Sequence, residues 1–494
     1  MIKLKDILLE SKTKEENAID YIGELIKNTE FAGKTYVAGG YVRDMVMGKK
    51  SKDIDITVAL PEGGIKLANF ITKKSGVFKK DINPVVFKRF GTAKFNLRGV
   101  KYNGVDLSGL DIECVMTRKE KYTDGDRKPE VDFGTIEQDV ERRDLTINSL
   151  IYDISNHKIL DLTGKGIDDI KNRVIRTPID SDIIFKEDPL RMLRVIRFST
   201  RYGWELSKDM IESLRKNAKM LEFISAERKQ EELNKILLSN TPDEGIRIMI
   251  ETGLMKYVIP ELYGLRGMTQ NRYHAWDALN HTLEVLKKTP AKLETRLGAL
   301  LHDIGKVKTR TDDEKGVHFY NHEEVSATMS RDILKRLKYP VALQDKVAVI
   351  VGQHMRTKDM GNDVSKIRDK VFRKLVKDLG DNLEDTLDVI DADNKSHGPI
   401  GWTHNLEKQI DIIRDRIKNL GKFTAKTKMP VDGNMIMRLF NMKPGKDVGK
   451  MLSIFEDYFL EDPDKILSMS DQEIESLLKQ MYEQLNKERT NEKI

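Results

Sequence analysis

The stretch YVAGGYVRDMVMGKKSKDIDITVAL, residues 36–60, joins a Gly-Gly turn to a strand-like run with two aspartates two positions apart. Ile54, Ile56 and Val58 share one face of that run, and Asp53 and Asp55 share the other. Strands do not favour Asp, and adjacent like charges repel. A divalent cation removes the repulsion, because Mg²⁺ takes carboxylate oxygens together with substrate phosphates. Upstream, Gly39 and Gly40 permit close backbone approach, and N–H groups in such a turn can cradle phosphate. A third carboxylate is available in GLDIECVMTR, residues 109–118, where Asp111, Glu113 and Val115 share one face. Ile112, Cys114 and Met116 share the opposite face, so Cys114 reads as core. Metal ions held by such carboxylates activate an attacking hydroxyl and stabilise the group it displaces from phosphorus.

The surroundings suit a soluble protein of several parts. A chain of 494 residues exceeds one ordinary core, so three or four units are expected. Charged residues make up 34% and hydrophobic ones 39%, and the formal charge of +6 permits nucleic-acid binding without requiring it. The single cysteine excludes an internal disulfide and favours a reducing compartment. No apolar run reaches membrane-spanning length and the N-terminus lacks a signal-peptide core, so a cytoplasmic location is expected. Short β-like runs fill the first 155 or so residues, after which helical periodicity dominates. Every histidine except His157 falls between His274 and His404, which marks a second module.

Further motifs follow in a fixed order. They are RRDLTINSLIYD (residues 142–153), DLTGKGIDDIKNRVIRTP (161–178), EDPLRMLRVIRFSTRYG (187–203) and SAERKQEEL (225–233, with Glu227 and Arg228). With AGGYVRDMVMGKKSKDIDITV they resemble the signatures of the tRNA nucleotidyltransferase and poly(A) polymerase family, in its bacterial and eukaryotic class. The resemblance covers about residues 30–240. It implies that Asp53 and Asp55 ligate Mg²⁺ with Glu113 as third carboxylate. It places Arg43 and Asp44 at the triphosphate with the Gly39–Gly40 turn, and Arg143, Asp144 and Asn148 at ribose and phosphates. It also implies that Asp188 and Arg191 act as a protein template for CTP and ATP. Physically, a carboxylate acceptor beside a guanidinium donor suits the Watson–Crick edge of cytosine or adenine and mismatches guanine or uracil. A single helix over 187–201 is expected, with Glu187, Arg191, Arg194, Phe198 and Arg201 forming a largely basic stripe.

In the second module, LNHTLEVLKK supplies His281, and ETRLGALLHDIGKVKTR puts His302 and Asp303 at the end of an apolar helix. His322, His354, Asp391 and Asp393 follow. Burying an adjacent His-Asp pair without metal or partners is costly, and imidazole with carboxylate suits a divalent transition metal. The pattern resembles the HD phosphohydrolase superfamily and the HD domain fused to many bacterial tRNA nucleotidyltransferases. The resemblance implies a site of His281, His302, Asp303 and Asp391, extended by His322 and His354 to a form that holds two ions such as Mn²⁺, Ni²⁺ or Fe²⁺. Asp393 is assigned to capping the following turn, and His157, His274, His318, His397 and His404 to ordinary surface or core roles. Near the end, MPVDGNMIMRLFNMKPGKDVGK resembles a tail element of the same family that contacts tRNA, here through Lys443, Lys446 and Lys450.

The expected fold is α+β: a small nucleotidyltransferase head with a mixed sheet, then an elongated all-helical body including the HD domain. The expected parts are a head at 1–155, a neck and body at 156–265, an HD domain at 266–410 and a helical tail at 411–494. The implied activity is template-independent addition of C, C and A to tRNA 3′ ends from CTP and ATP, with release of pyrophosphate. Addition of A alone, or of poly(A), uses the same motifs and stays open. A reading of another class is a metal-dependent phosphohydrolase whose head only binds RNA. The intact acidic pair and the intact Asp188 and Arg191 weigh against that.

Overall fold

The computed structural model describes residues 12–75, 84–88, 91–121, 130–270, 276–314, 316–360, 364–397 and 406–491. His274, His404 and residues 122–129 of the region before the RRD motif lie outside them. The chain forms two compact units, residues 1–258 and 259–494.

The first unit is built on a seven-stranded mixed sheet: β1 Thr35–Ala38, β2 Ile54–Val58, β3 Val85–Phe87, β4 Thr92–Asn96, β5 Asp111–Met116, β6 Ile151–Asp153 and β7 Lys158–Leu160. Their order is β7-β6-β1-β2-β5-β4-β3. The β2–β5 pair is parallel and all the others are antiparallel. Because β7 completes one edge, the head extends past the boundary expected at 155.

The alternation expected of β2 and β5 is present. Ile54, Ile56, Ile112 and Cys114 are fully buried in a core shared with Ile22, Leu67 and Ile71. Helices packed on this core include Lys14–Ile26, which carries Ile22, α1 Gly40–Val46 and α2 Gly63–Lys74. Gly39 turns the chain from β1 into α1 with φ of +72°, a conformation that disfavours any side chain.

Beyond the sheet come α3 Ser181–Glu187, α4 Leu190–Tyr202, α5 Lys208–Asn217 and α6 Ala226–Leu237. The single helix expected over 187–201 is broken. Asp188 is extended, at φ −139° and ψ 100°, because the ring of Pro189 disfavours helical backbone in the residue before it. Glu187 therefore ends α3, and the stripe on α4 starts at Arg191. That helix buries Met192, Leu193, Val195 and Ile196 on its other side.

Among the described residues the second unit is helical apart from the hairpin Arg310–Asp313/Gly316–Phe319. Its metal-relevant helices are α7 Ala278–Lys288, α8 Leu293–Leu301, α9 His322–Arg336, α10 Val341–Gly352 and α11 Leu383–Asn394. The boundary expected at 410 falls within the helix Leu406–Lys418, whose Ile410 and Ile413 pack with Phe372, Leu387 and Ile390. A separate core of Ile436, Met451, Phe455, Phe459 and Leu478 organises the last helices, among them α12 Gly433–Phe440 and α13 Lys446–Glu461. Among the described residues no helix is long and apolar enough to cross a membrane.

Candidate functional site

In the first unit, strand register sets Asp55 directly opposite Glu113. Asp53 precedes β2 by one residue and follows the same alternation, so the three carboxylates gather at one end of the exposed face. All three are exposed. Crowding by the surrounding protein, then the charge of Glu113, pushes the Asp55 carboxyl above its ordinary value, against the opposing pull of Arg143. Among the described residues none of the three forms a salt bridge, while Asp111 is taken by Lys94 at 2.9 Å. Three unpaired, mutually repelling carboxylates fit a hard divalent cation, and Asp111 is removed from that set.

Beside them opens a cleft of about 480 Å³, lined by Gly39, Gly40 and Asp55 and by Arg43, Arg118, Arg142, Arg143, Arg191, Arg194 and Arg228. Each expected nucleotide-binding residue lines it except Asp44, which lies one position behind and holds Arg43. The Arg43 guanidinium is buried. It donates to Asp44 Oδ1 at 2.9 Å and Asn148 Oδ1 at 2.7 Å, and lies 5.4 Å from the Phe198 ring centroid. Asn148 in turn donates to Asp144, which also accepts from Arg194 Nε at 2.8 Å. Burial alone would raise the Asp144 carboxyl; the Arg194 charge and the Asn148 hydrogen bond hold it below the ordinary value. Arg142 and Arg143 both anchor on the fully buried Asp139. Prepaid ion pairs of this kind fix donors in place for a polyanion, so that little ordering remains to be done on binding.

The base-reading pair is also held, each member by its own partner. Asp188 Oδ2 accepts from Arg228 Nη2 at 2.8 Å, and Arg191 Nη1 donates to Glu187 Oε2 at 2.7 Å. Both line the same cleft. Arg118, Arg142 and Arg228 are the cleft arginines that sequence reasoning left outside the site. Arg228 was visible as part of the SAER motif, whereas nothing local marks Arg118.

The second unit concentrates His281, His302, Asp303, His322, His354 and Asp393 in its interior, each nearly or fully buried. Two triads have their ligand atoms within 4.8 Å of one another: His281, His302 and Asp393, and Asp303, His322 and His354. Asp303 spans both, at 3.2 Å from His302 Nε2 and 3.3 Å from His322 Nε2. His302, His322 and His354 each donate Nδ1–H to a backbone carbonyl, of Ala299, Phe319 and Val351, at 2.7–2.8 Å. This turns Nε2 of each ring inward. The His322 and His354 Nε2 atoms stand 3.3 Å apart. Ring nitrogens converging beside buried carboxylates are a donor set that fits bound metal. Burial, then the neighbouring His302 and His322, drive the His354 ring well below its ordinary pKa. For Asp303, burial alone would raise the carboxyl, but the His302 and Lys306 charges hold it far below.

One expected ligand is corrected. Asp391 is not in the cluster: it turns to Lys395 at 2.7 Å, and Asp393 takes the place, 2.9 Å from His281. On α11, Asp393 continues the buried stripe of Thr386, Val389 and Ile390. Asp391 lies in line with Asp388 and Lys395 on the polar side. Two lysines escaped notice as well: Lys306 reaches Asp303 at 2.6 Å and Lys358 reaches Asp393 at 3.2 Å. His397 packs edge-on against the His281 ring, while His157 and His318 sit on the surface beside Asp20 and Asp313.

An arginine-lined cleft beside three unpaired carboxylates on a mixed sheet equips a metal-dependent nucleotidyltransferase. Comparison with known proteins agrees. The Poly A polymerase head domain matches residues 35–176, the Probable RNA and SrmB- binding site of polymerase A matches 203–265, and the HD domain matches 272–417. The tRNA nucleotidyltransferase cca1 of Schizosaccharomyces pombe is 26% identical over 86% of this chain and 88% of its own length. The Multifunctional CCA protein of Neisseria meningitidis is 30% identical over 69% of this chain and 77% of its own. The A-adding tRNA nucleotidyltransferase of Deinococcus radiodurans is 30% identical over 64% and 74%. In fold, the Bacillus stearothermophilus CCA-adding enzyme, solved with CTP, superposes with a TM-score of 0.65 at 21% identity, covering 98% of this chain and 99% of that one. The chain belongs to the tRNA nucleotidyltransferase and poly(A) polymerase family.

Proposed function

We propose that this chain adds C, C and A to the 3′ ends of tRNA, using CTP and ATP in the cytoplasm. The observation that carries this reading is the opposition of Asp55 and Glu113 beside a cleft whose arginines are already fixed in place. Asp53, Asp55 and Glu113 would hold Mg²⁺, which when bound stabilises the entering and leaving oxygens at the α-phosphate. Arg43, Arg143 and Arg194 neutralise the triphosphate, with the buried Phe198 ring backing the Arg43 guanidinium. Asp188, steadied by Arg228, accepts from the amino group of cytosine or adenine, and Arg191 donates to the ring acceptors. Uracil would oppose acceptor to acceptor, which accounts for its exclusion. The exposed Lys443, Lys446 and Lys450, around the start of α13, supply phosphate contacts to the tRNA. In functional terms the parts are a catalytic head, a base-reading neck, the HD domain and the tail.

The test offers tRNAs lacking CCA, ending in C, or ending in CC, with CTP and ATP separately and together. Ordered addition of C, C and then A supports the proposal. Extension only of the CC-ended tRNA by A would instead make the chain an A-adder, a specificity named among its 30%-identical relatives.

The buried histidine cluster favours a second activity, phosphohydrolysis at a two-ion site, with Mn²⁺, Ni²⁺ or Fe²⁺ as candidate metals. Release of phosphate from nucleotide monoesters, or opening of 2′,3′-cyclic phosphates, lost in His302→Ala while nucleotide addition persists, would establish it. No hydrolysis with any of the three metals would overturn it.

A further inference from the structure

Residues paired across a ladder present their side chains on the same face of a sheet. Two rows of paired residues can therefore be followed from the catalytic carboxylates to the sheet edge. One runs Ala38, Asp55, Glu113, Lys94, Val85, and the next runs Tyr36, Thr57, Val115, Thr92, Phe87. The rows end on β3, where Val85 is 59% and Phe87 51% exposed. An exposed aromatic on an edge strand is a liability for aggregation unless something uses it. Between Phe87 and Glu113 lies a second cleft of about 320 Å³, lined also by Thr92, Val115, Arg118 and Arg142. It shares Arg118 and Arg142 with the larger cleft, but Glu113 faces the small one and Asp55 the large one.

The carboxylates thus stand at the divide between two basic recesses. In an in-line displacement at phosphorus the entering oxygen and the leaving group lie on opposite sides. With the triphosphate in the larger cleft, the attacking 3′-hydroxyl has to come from the other. We propose that the smaller cleft seats the 3′-terminal nucleotide of the RNA acceptor, with its base on the Phe87 ring and its phosphate between Arg118 and Arg142. The proposal rests on the transferase reading above. Phe87 lies two strands from Glu113, about 10 Å across the sheet, a span suited to a base whose ribose reaches the carboxylates. Arg142 is held on the buried Asp139, so its guanidinium is oriented before RNA arrives. Stacking tolerates every base, as a terminus that changes identity with each addition requires.

The test is a kinetic comparison of wild type, Phe87→Ala and Phe87→Trp, with tRNA and CTP varied separately. Phe87→Ala is expected to raise the KM for tRNA about tenfold and leave the KM for CTP within about twofold, with Phe87→Trp restoring the former. An unchanged tRNA KM, or an equal rise in the CTP KM, overturns the seat. An acceptor ending in 2-aminopurine reports without turnover: its fluorescence should be quenched on wild type and Phe87→Trp and not on Phe87→Ala. Equal quenching on all three overturns the seat. A wild type that adds no nucleotide to tRNA at all overturns the transferase reading instead, and the quenching comparison still decides the role of Phe87.

Discussion

Asp393 Oδ1 lies 2.9 Å from His281 Nε2, whereas Asp391, on the same helix, turns to Lys395. Two acids two positions apart on a helix point to opposite sides, so only one of them can complete a buried site. Asp393→Asn is expected to weaken divalent-metal affinity of the second unit by more than about tenfold. Asp391→Asn is expected to leave it unchanged. The check is a thermal melt with added Mn²⁺: saturating metal near 100 times its Kd stabilises a binding-competent protein by about 2.7 kcal/mol. At the same metal concentration a tenfold weaker site keeps only about 1.4 kcal/mol, and a drop to that value or below is expected only in the Asp393 variant.

Gly305 controls the same site without touching metal. A Cβ there would lie 2.5 Å from the His322 carbonyl oxygen and 2.6 Å from the Ser326 amide nitrogen. Its own N–H donates to Ser326 Oγ at 2.8 Å. The segment after His302 and Asp303 is thereby pressed onto the start of α9, which carries His322. Gly305→Ala is expected to cost about 1–3 kcal/mol through overpacking and to reduce metal affinity with every ligand intact. Metal titration of a variant that retains its helical circular dichroism would separate displacement of the site from global unfolding.

How far the sequence sufficed follows from these same residues. Alternation in β2 and β5 revealed the acidic face, since a period of two leaves little choice of side. The choice between Glu113 and Asp111 needed the register, because both lie on that face and only Glu113 stands opposite Asp55. The break at Asp188 was written in Pro189, yet helical periodicity on both sides concealed it. The arginines that converge on the cleft come from separate segments of the first unit, and long-range convergence leaves no local trace. The cluster of histidines was legible as chemistry, but its pairing through Asp303 and Asp393 became visible only in three dimensions.

The acid response of the first unit should show the link between α3 and α5. Asp182 accepts from Ser213 Oγ at 2.6 Å and Asn217 Nδ2 at 2.7 Å and pairs with Lys216. The Lys216 hydrogen bond, followed by that of Ser213, lowers its carboxyl to about 2. A depressed carboxylate contributes stability above its unfolded pKa of about 3.9, and that contribution is lost as pH falls through the folded value. Water screens this near-surface pair, so Asp182→Asn should cost about 1 kcal/mol at pH 7. The melting difference from wild type should hold down to about pH 4 and disappear near pH 2. A difference that persists at the lowest pH would assign the effect to shape and not to charge.

The strictest test of base selection falls on Arg228, which holds Asp188 at 2.8 Å from outside α4. Asp188 is extended and has no helical turn of its own to fix its side chain, so its orientation depends on Leu190 N–H at 3.1 Å and on this guanidinium. Without Arg228 the carboxylate is free to turn and its match to an amino group loosens. Arg228→Ala is therefore expected to lower the CTP-over-UTP ratio of kcat/KM by about tenfold, equivalent to about 1.4 kcal/mol. Asp188→Ala should lower it further, and the double variant should add little, because one residue acts through the other. Loss of kcat with the CTP-to-UTP ratio intact would place Arg228 on the phosphates and leave Asp188 to be oriented by Leu190 alone.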